Sequence, residues 1–363
     1  VQPPSTQPAV APKNRRVRLP KPYRLWAVQA LTAIGGLWLI HWGLHQSLQH
    51  VNDVIRFVFR WPFQLQGFRV FERPHLGLVF IAGVAVMLAS PWVLDRLLGG
   101  WYQQNRLSSR VLQQHHTEVL RLLRRVCRQR QWQLPELRLI PSAVPICFSY
   151  GWSPRTVRIV VSQGLLDTLT DEELSALYAY ELAHVANWDL PVLSGLVVLL
   201  CLLYSGYWHL ARWGDDRQNA WLRWGSGVVA SILYGLFWVL HKVGLWLSRL
   251  RGDYCDRTAL DLFPYPEQYQ HLLLALTRQI SADMKQRGHL HPLLGSFDLL
   301  MPLSSRQAIS PGSFIEQVTI SRLVAEDCLN PYRYWLMANN SHAILGERLL
   351  AFERWANQWR IPA

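Results

Sequence analysis

Tyr180, Glu181 and His184 are the residues of this chain best placed to do chemistry. The run Ala179-Tyr180-Glu181-Leu182-Ala183-His184 differs at one position from the pattern H-E-x-x-H. In that pattern two imidazoles one helical turn apart hold zinc, and the Glu between them takes a proton from the metal-bound water. Here the Glu and the second His are present, and a phenol stands in place of the first His. A phenol with a pKa near ~10 is mostly protonated at neutral pH and is an unusual zinc ligand. One imidazole cannot hold zinc against water, since open zinc sites draw on three protein ligands. The chemistry therefore turns on position 180 and on whatever supplies a third donor.

These residues need a helix to present them. Thr170-Asp171-Glu172-Glu173 opens one, with Thr170 as cap and Glu173 returning the bond. Leu174, Leu177, Tyr178, Leu182 and Val185 form its apolar stripe, positions 180 and 184 share a face, and Pro191 ends it. Upstream, Leu137-Arg138-Leu139 and Val157-Arg158-Ile159-Val160-Val161 alternate as strands do, and Ile146 to Tyr150 reads as a third. Gly151-Trp152-Ser153-Pro154 is the turn between them. Residues 101–133 carry apolar positions at helical spacing against an Arg-rich face, which predicts an amphipathic helix.

Composition places this unit at a membrane. Half of the 363 residues are apolar, 18 are Trp, and charged residues make up only 17%. Spans are expected from Trp26 to about His45, from about Leu76 to Leu94, over 191–211 and over about 224–247, each near the ~20 residues needed to cross the hydrocarbon core. Residues 47–75 mix Arg with aromatics and read as an interfacial segment. Residues 1–24 form a basic, Pro-rich tail, and no cleavable signal peptide is expected. The net charge of +13 sits mostly on Arg flanking apolar spans, so anionic lipid is the expected partner and nucleic acid is not. The Arg and Lys distribution favours a topology with both termini and the 180–184 helix on the cytoplasmic side, with only the Arg of 47–75 against it. The five cysteines show no CxxC pairing and read as thiols, not a disulfide framework.

The order of motifs resembles the HtpX-type membrane zinc metallopeptidases, relatives of the CAAX prenyl proteases and the mitochondrial OMA-type proteases. The residues that carry the resemblance are Leu134-Pro135-Glu136-Leu137-Arg138-Leu139-Ile140, Phe148, Gly151-Trp152, Val160 to Leu166, Asp171 to Leu174 and Asn187-Trp188-Asp189. Ser341-His342-Ala343-Ile344-Leu345-Gly346-Glu347-Arg348 is similar to the family's terminal signature, with Ala343 where the family has Pro. The resemblance covers roughly 100 to 350. It implies an α+β fold, predominantly α: a minimal zincin-like (gluzincin) domain with a small sheet on about four transmembrane helices. The expected division is a tail at 1–24, a transmembrane hairpin at 25–98, and a peptidase-type domain at 99–363 with an inserted hairpin at about 191–247.

Carried over by position, the resemblance puts the first ligand on Tyr180, the general base on Glu181 and the second ligand on His184. The family's S-R-x-R-E-Y-x-A-D stretch falls on Ser248 to Asp256, so the third ligand falls on Gly252 and a supporting carboxylate on Asp256. Gly has no donor. Asp253 is one residue away, but one residue turns a helical side chain by about 100°. His342 and Arg348 are expected to line the cleft. Glu181 reads as a buried group bonded to Tyr180 or Arg348, and His184 as paired with Asp256 without metal.

The expected function is that of a catalytically inactive homologue, kept as a binding, assembly or regulatory factor for a membrane protein complex, with no cofactor. The alternative is an active zinc endopeptidase with an altered ligand set, acting in protein quality control. The expected location is a bacterial plasma membrane or a thylakoid-type internal membrane.

Overall fold

The computed structural model describes residues 23–63, 75–289, 291, 294–295, 297–304 and 331–360. The basic tail at 1–22 lies outside them, as do residues 64–74 of the segment expected at the interface.

Four helices are long and apolar enough to cross a bilayer: α1 (Tyr23–Phe63), α2 (Leu76–Tyr102), α7 (Leu190–Asp215) and α8 (Ala220–Leu262). All four expected spans are present as helices, and all run past their expected ends. Residues 47–63 continue α1 instead of starting a separate interfacial segment. The largest difference is in α8. Its 43 residues form one helix, about 64 Å long, that continues through Ser248–Asp256. No Pro or Gly-Pro break interrupts the sequence there, so nothing stops the helix at the membrane edge. α7 and α8 form a hairpin, with α1 packed on α8 and α2 on α7.

Outside the spans, β1 (Asn105–Arg106), β2 (Glu136–Ile140), β3 (Cys147–Tyr150) and β4 (Arg158–Ser162) form one sheet in the order β1-β2-β4-β3. β2 and β4 are parallel, with Leu137 opposite Ile159, and the outer pairs are antiparallel. β3 and β4 are buried along their whole length, as strands covered on both faces must be. The helix expected over 101–133 is divided. β1 and the short α3 (Ser109–His115) precede α4 (Thr117–Arg130), which buries Val119, Leu122, Leu123 and Val126 and turns its Arg outward.

α5 (Gln163–Thr168) leads into α6 (Asp171–Asn187), the helix that carries the motif. Its capping box forms as expected: Glu173 N–H donates to Thr170 Oγ1 at 3.3 Å, and Thr170 N–H to Glu173 Oε2 at 3.0 Å. α6 ends at Asn187, four residues before Pro191. Trp188 closes it in a left-handed cap at φ 55°, and Pro191 sits in the first turn of α7, where its missing N–H costs nothing. α9 (Pro266–Arg287), α10 (Arg333–Asn339) and α11 (Leu345–Arg360) complete the described elements. α6 packs against α4, α8 and α9 and is thereby buried on all sides beyond its first turn. Replacing Thr170 with Ala removes one half of the capping box. The expected cost is about 1 kcal/mol of unfolding free energy, measured by denaturant titration of the detergent-solubilised protein.

Candidate functional site

The second half of α6, the C-terminal part of α8, the start of α7 and the turn before α11 meet at one buried point. Tyr180 is 2% exposed, and Glu181, His184 and His342 are fully buried. Every site residue expected from the sequence lies here: Tyr180, Glu181, His184, Gly252, Asp256, His342 and Arg348.

Tyr180 stands edge-on to His184, with ring centroids 4.8 Å apart at 89°. Its hydroxyl is 3.5 Å from His342 Nε2. The Arg348 guanidinium lies 5.6 Å from the Tyr180 ring centroid, within cation–π range. Burial pushes the Tyr180 hydroxyl well above its usual pKa, against the lowering effect of Arg348, so it is a neutral phenol at pH 7. Across from it, Gly252 brings bare backbone into the cleft. A Cβ there would stand 3.3 Å from His342 Cδ2 and 4.0 Å from the Tyr180 hydroxyl. The His342 ring and the phenol thus close over the glycine. Ser341 Oγ lies 3.0 Å from His342 Nδ1 and fixes the ring's other edge.

His184 is held from behind. Its Nδ1 lies 2.9 Å from Asp189 Oδ2 and 2.7 Å from Cys255 Sγ. Donation to the carboxylate keeps the proton on Nδ1 and leaves Nε2 with its lone pair turned the other way. Nε2 has no hydrogen-bond partner among the described residues. Burial, followed by Arg251, lowers the His184 pKa, so the ring is neutral. The expected carboxylate for this role was Asp256, but it belongs to Arg348. Arg348 Nε and Nη2 donate to the two Asp256 oxygens at 3.0 and 2.7 Å, and Nη1 donates to the Pro302 carbonyl at 2.7 Å. The reason is local. The left-handed cap at Trp188 turns the chain back, so that Asp189 reaches the same helix end as His184.

Glu181 forms neither of its expected bonds. Both carboxylate oxygens lack a hydrogen-bond partner among the described residues. Burial raises its pKa to about 7, opposed by Ser149 and Arg251 and reinforced by Asp189. Asp253, the neighbour of Gly252, is exposed.

One group of described residues has metal-ligand types close together: His184, Asp189 and Cys255. Its contacts of 2.7, 2.9 and 3.2 Å are those of a hydrogen-bonded cluster. Ligands around a tetrahedral zinc, at about 2.0–2.3 Å from the ion, stand roughly 3.5 Å apart. Asn187 Nδ2 donates to Cys255 Sγ at 3.2 Å, and Arg251 Nη1 comes to 4.0 Å from Asp189 Oδ1. Asp189, Cys255 and Arg251 were not expected at the site. Asp189 had a signal, since it closes the Asn187-Trp188-Asp189 motif five residues after His184.

The environment of Glu181 has a measurable consequence. Its carboxyl is raised from 4.5 to about 7, so the folded state binds its proton more tightly than the unfolded state does. That contribution is complete below about pH 4.5 and is lost as pH rises through 7. Glu181→Gln should therefore gain stability relative to wild type, by roughly 2–3 kcal/mol between pH 5 and pH 8. Denaturant unfolding at both pH values reads this out, and a difference that does not change with pH would contradict the assignment.

Comparison with known proteins agrees with this architecture. The profile of peptidase family M48 matches residues 112–355. A protease HtpX homolog of Syntrophobacter fumaroxidans is 27% identical over 243 residues, covering 63% of this chain and 81% of that protein. One from Pyrococcus abyssi is 24% identical over 235 residues, covering 61% and 76%. One from Neisseria meningitidis is 32% identical over 152 residues, covering 39% and 53%. No solved structure matches the chain significantly. With the profile spanning more than half of its length and four helices able to cross a bilayer, the chain belongs to peptidase family M48, as an integral membrane protein similar to the HtpX proteases.

Proposed function

We propose that this protein is a non-catalytic member of its family, kept to bind a membrane protein or membrane protein complex as an assembly, stabilising or regulatory factor. The observation that carries this reading is at Gly252. The family's third donor falls on a residue with no side chain, and His342 and Tyr180 close over it at 3.3 and 4.0 Å from where a Cβ would stand. The donors present do not fit a zinc ion. The first position is a neutral phenol raised further from ionisation by burial. The third has no donor, and Asp253 beside it is exposed. Of the three ligand positions only His184 offers a donor, its buried and unpartnered Nε2. One nitrogen does not hold zinc where three protein ligands are the rule.

The remaining residues then have binding and structural work. Arg348 ties α11 to α8 through Asp256, and Asp189 with Cys255 holds His184 in place. The scaffold that such a protein would use for recognition is intact: the sheet, the capped helix and the α7–α8 hairpin. From the Arg and Lys bias we place the domain on the cytoplasmic side. A second reading keeps an active zinc endopeptidase with an altered ligand set, in protein quality control. It draws on Glu181 and His184 Nε2, both buried and without hydrogen-bond partners.

Metal analysis and proteolysis separate the two. Wild-type protein purified in nanodiscs without chelator is expected to carry no stoichiometric zinc. It should not cleave an unfolded membrane-protein substrate, and Glu181→Gln should leave that result unchanged. Stoichiometric zinc lost on His184→Ala, with chelator-sensitive cleavage, would overturn the proposal. Restoring both positions with Tyr180→His and Gly252→Glu should bring zinc binding back, measured by metal content after dialysis. Each single substitution should fail to do so. The double variant must move the His342 ring by a few tenths of an ångström, so adding His342→Ala is expected to raise its zinc occupancy.

A further inference from the structure

The four spans border a cavity of about 560 Å³. Its walls are α1 from Ala30 to Leu44 and α2 from Leu78 to Met87, and its floor is Val192, Gly195 and Leu199 of α7 with Leu240 of α8. All of these positions fall inside the uncharged stretches of the four spans, so the cavity sits at the depth of the hydrocarbon core. Ile34 and Leu78, on its two walls, are 60% and 62% exposed, so its side is open to the bilayer.

A void of this size between packed helices forfeits the contacts of every side chain around it, and it has to be filled. Water does not fill it. Among the described lining residues Thr32 alone carries a hydroxyl, amide or charge, and a buried water needs ~2–4 polar partners. A helix of a partner protein does not fit it. Ala30 to Leu44 covers about 21 Å along α1, so the mean cross-section of the cavity is about 27 Å², a channel roughly 6 Å wide. A helix with its side chains is ~10–12 Å across. Leu37 also packs on Gly83, where a Cβ would collide with it, so α1 and α2 meet across the cavity and leave no helix-wide gap between them. A single file of methylenes, with non-bonded carbons in contact at about 3.5–4.0 Å, fits that width. The length is also suitable, since an acyl chain of one leaflet reaches through about half of the ~30 Å core.

We propose that this cavity is a binding site for one phospholipid acyl chain, held as a resident lipid and not exchanged with the lipids that ring the spans. α1 is packed on α8 and α2 on α7, and the chain fills the space between the two pairs. Walls on four helices give it more contact than a lipid on an outer face makes, which is what retains it. No residue of the cleft lines the cavity, so the inference is independent of how the cleft is read.

The test uses the full chain in nanodiscs of palmitoyl-oleoyl phosphatidylcholine, extracted into mild detergent, washed repeatedly and weighed by native mass spectrometry. Wild type is expected to keep one phosphatidylcholine per chain. Ala33→Phe with Ala82→Phe puts two rings into the cavity and should lower that retention severalfold. Leu31→Phe with Ile81→Phe, at positions 70% and 65% exposed on the same two helices, should retain lipid as wild type does. A wild type that washes free of lipid overturns the proposal, and so does equal retention in the two double variants. A wild type that arrives as a lipid-free dimer also overturns it, by giving the space to a second copy. Should the Ala33 and Ala82 variant fail to fold, wild type alone decides. Phosphatidylcholine with a diazirine midway along its acyl chain, photolysed after the same washes, is expected to label residues 30–44 and 78–87. Labels confined to other segments would overturn the assignment.

Discussion

The closeness of α6 to α8 at Gly252 is the constraint on which the rest of the cleft depends. A glycine lets the α8 backbone come to the point where a Cβ would meet the His342 ring and the Tyr180 hydroxyl at 3.3 and 4.0 Å. That approach leaves any side chain at 252 in tight contact with the His342 ring. It also creates the enclosure in which Tyr180 is a neutral phenol and Glu181 retains its proton up to about pH 7. α8 can do this because it is one uninterrupted helix from the bilayer into the domain. One helix, α8, is therefore shared by the membrane hairpin and the cleft.

Burying so many charges at one point requires that they be paired. Arg348 and Asp256 are joined by two hydrogen bonds, and the Pro302 carbonyl takes a third from the same guanidinium. His184 is neutral and leans on Asp189. Arg251 is fully buried, donates to the Leu299 carbonyl and faces Asp189 at 4.0 Å. Ser248 bonds the same carbonyl, so this end of α8 is tied to residue 299 twice. These contacts hold α6, α7, α8 and α11 together without a metal. That is what the proposed loss of catalysis requires of a fold that persists.

Much of the architecture was legible because it depends on local rules. The capping box at Thr170 and Glu173, the alternation in 157–161 and the length of the apolar runs each specify an element from a few neighbouring residues. Where reading failed, longer-range facts decided. An Arg-rich face at 101–133 predicts one amphipathic helix, but pairing of Asn105 and Arg106 with Leu139 and Arg138 takes the first residues into the sheet. A loss of hydropathy after residue 247 predicts the end of a span. Helix propensity carries on regardless, because leaving the membrane does not require leaving the helix.

The site shows the same division. From its own residue types and the order of its motifs, the sequence determined the family, the membrane setting and the residues that meet at the cleft. It also set a phenol at 180 and a glycine without any donor at 252, because donor chemistry is a property of a side chain. Tertiary structure decided the partners. Asp189 and not Asp256 holds His184, because the left-handed turn at Trp188 returns it to the helix end. Cys255 joins that contact across 71 positions of sequence, and Arg348 reaches Asp256 across 92. Such pairings follow from where helices cross. No spacing along one helix encodes that crossing, which only the packed fold supplies.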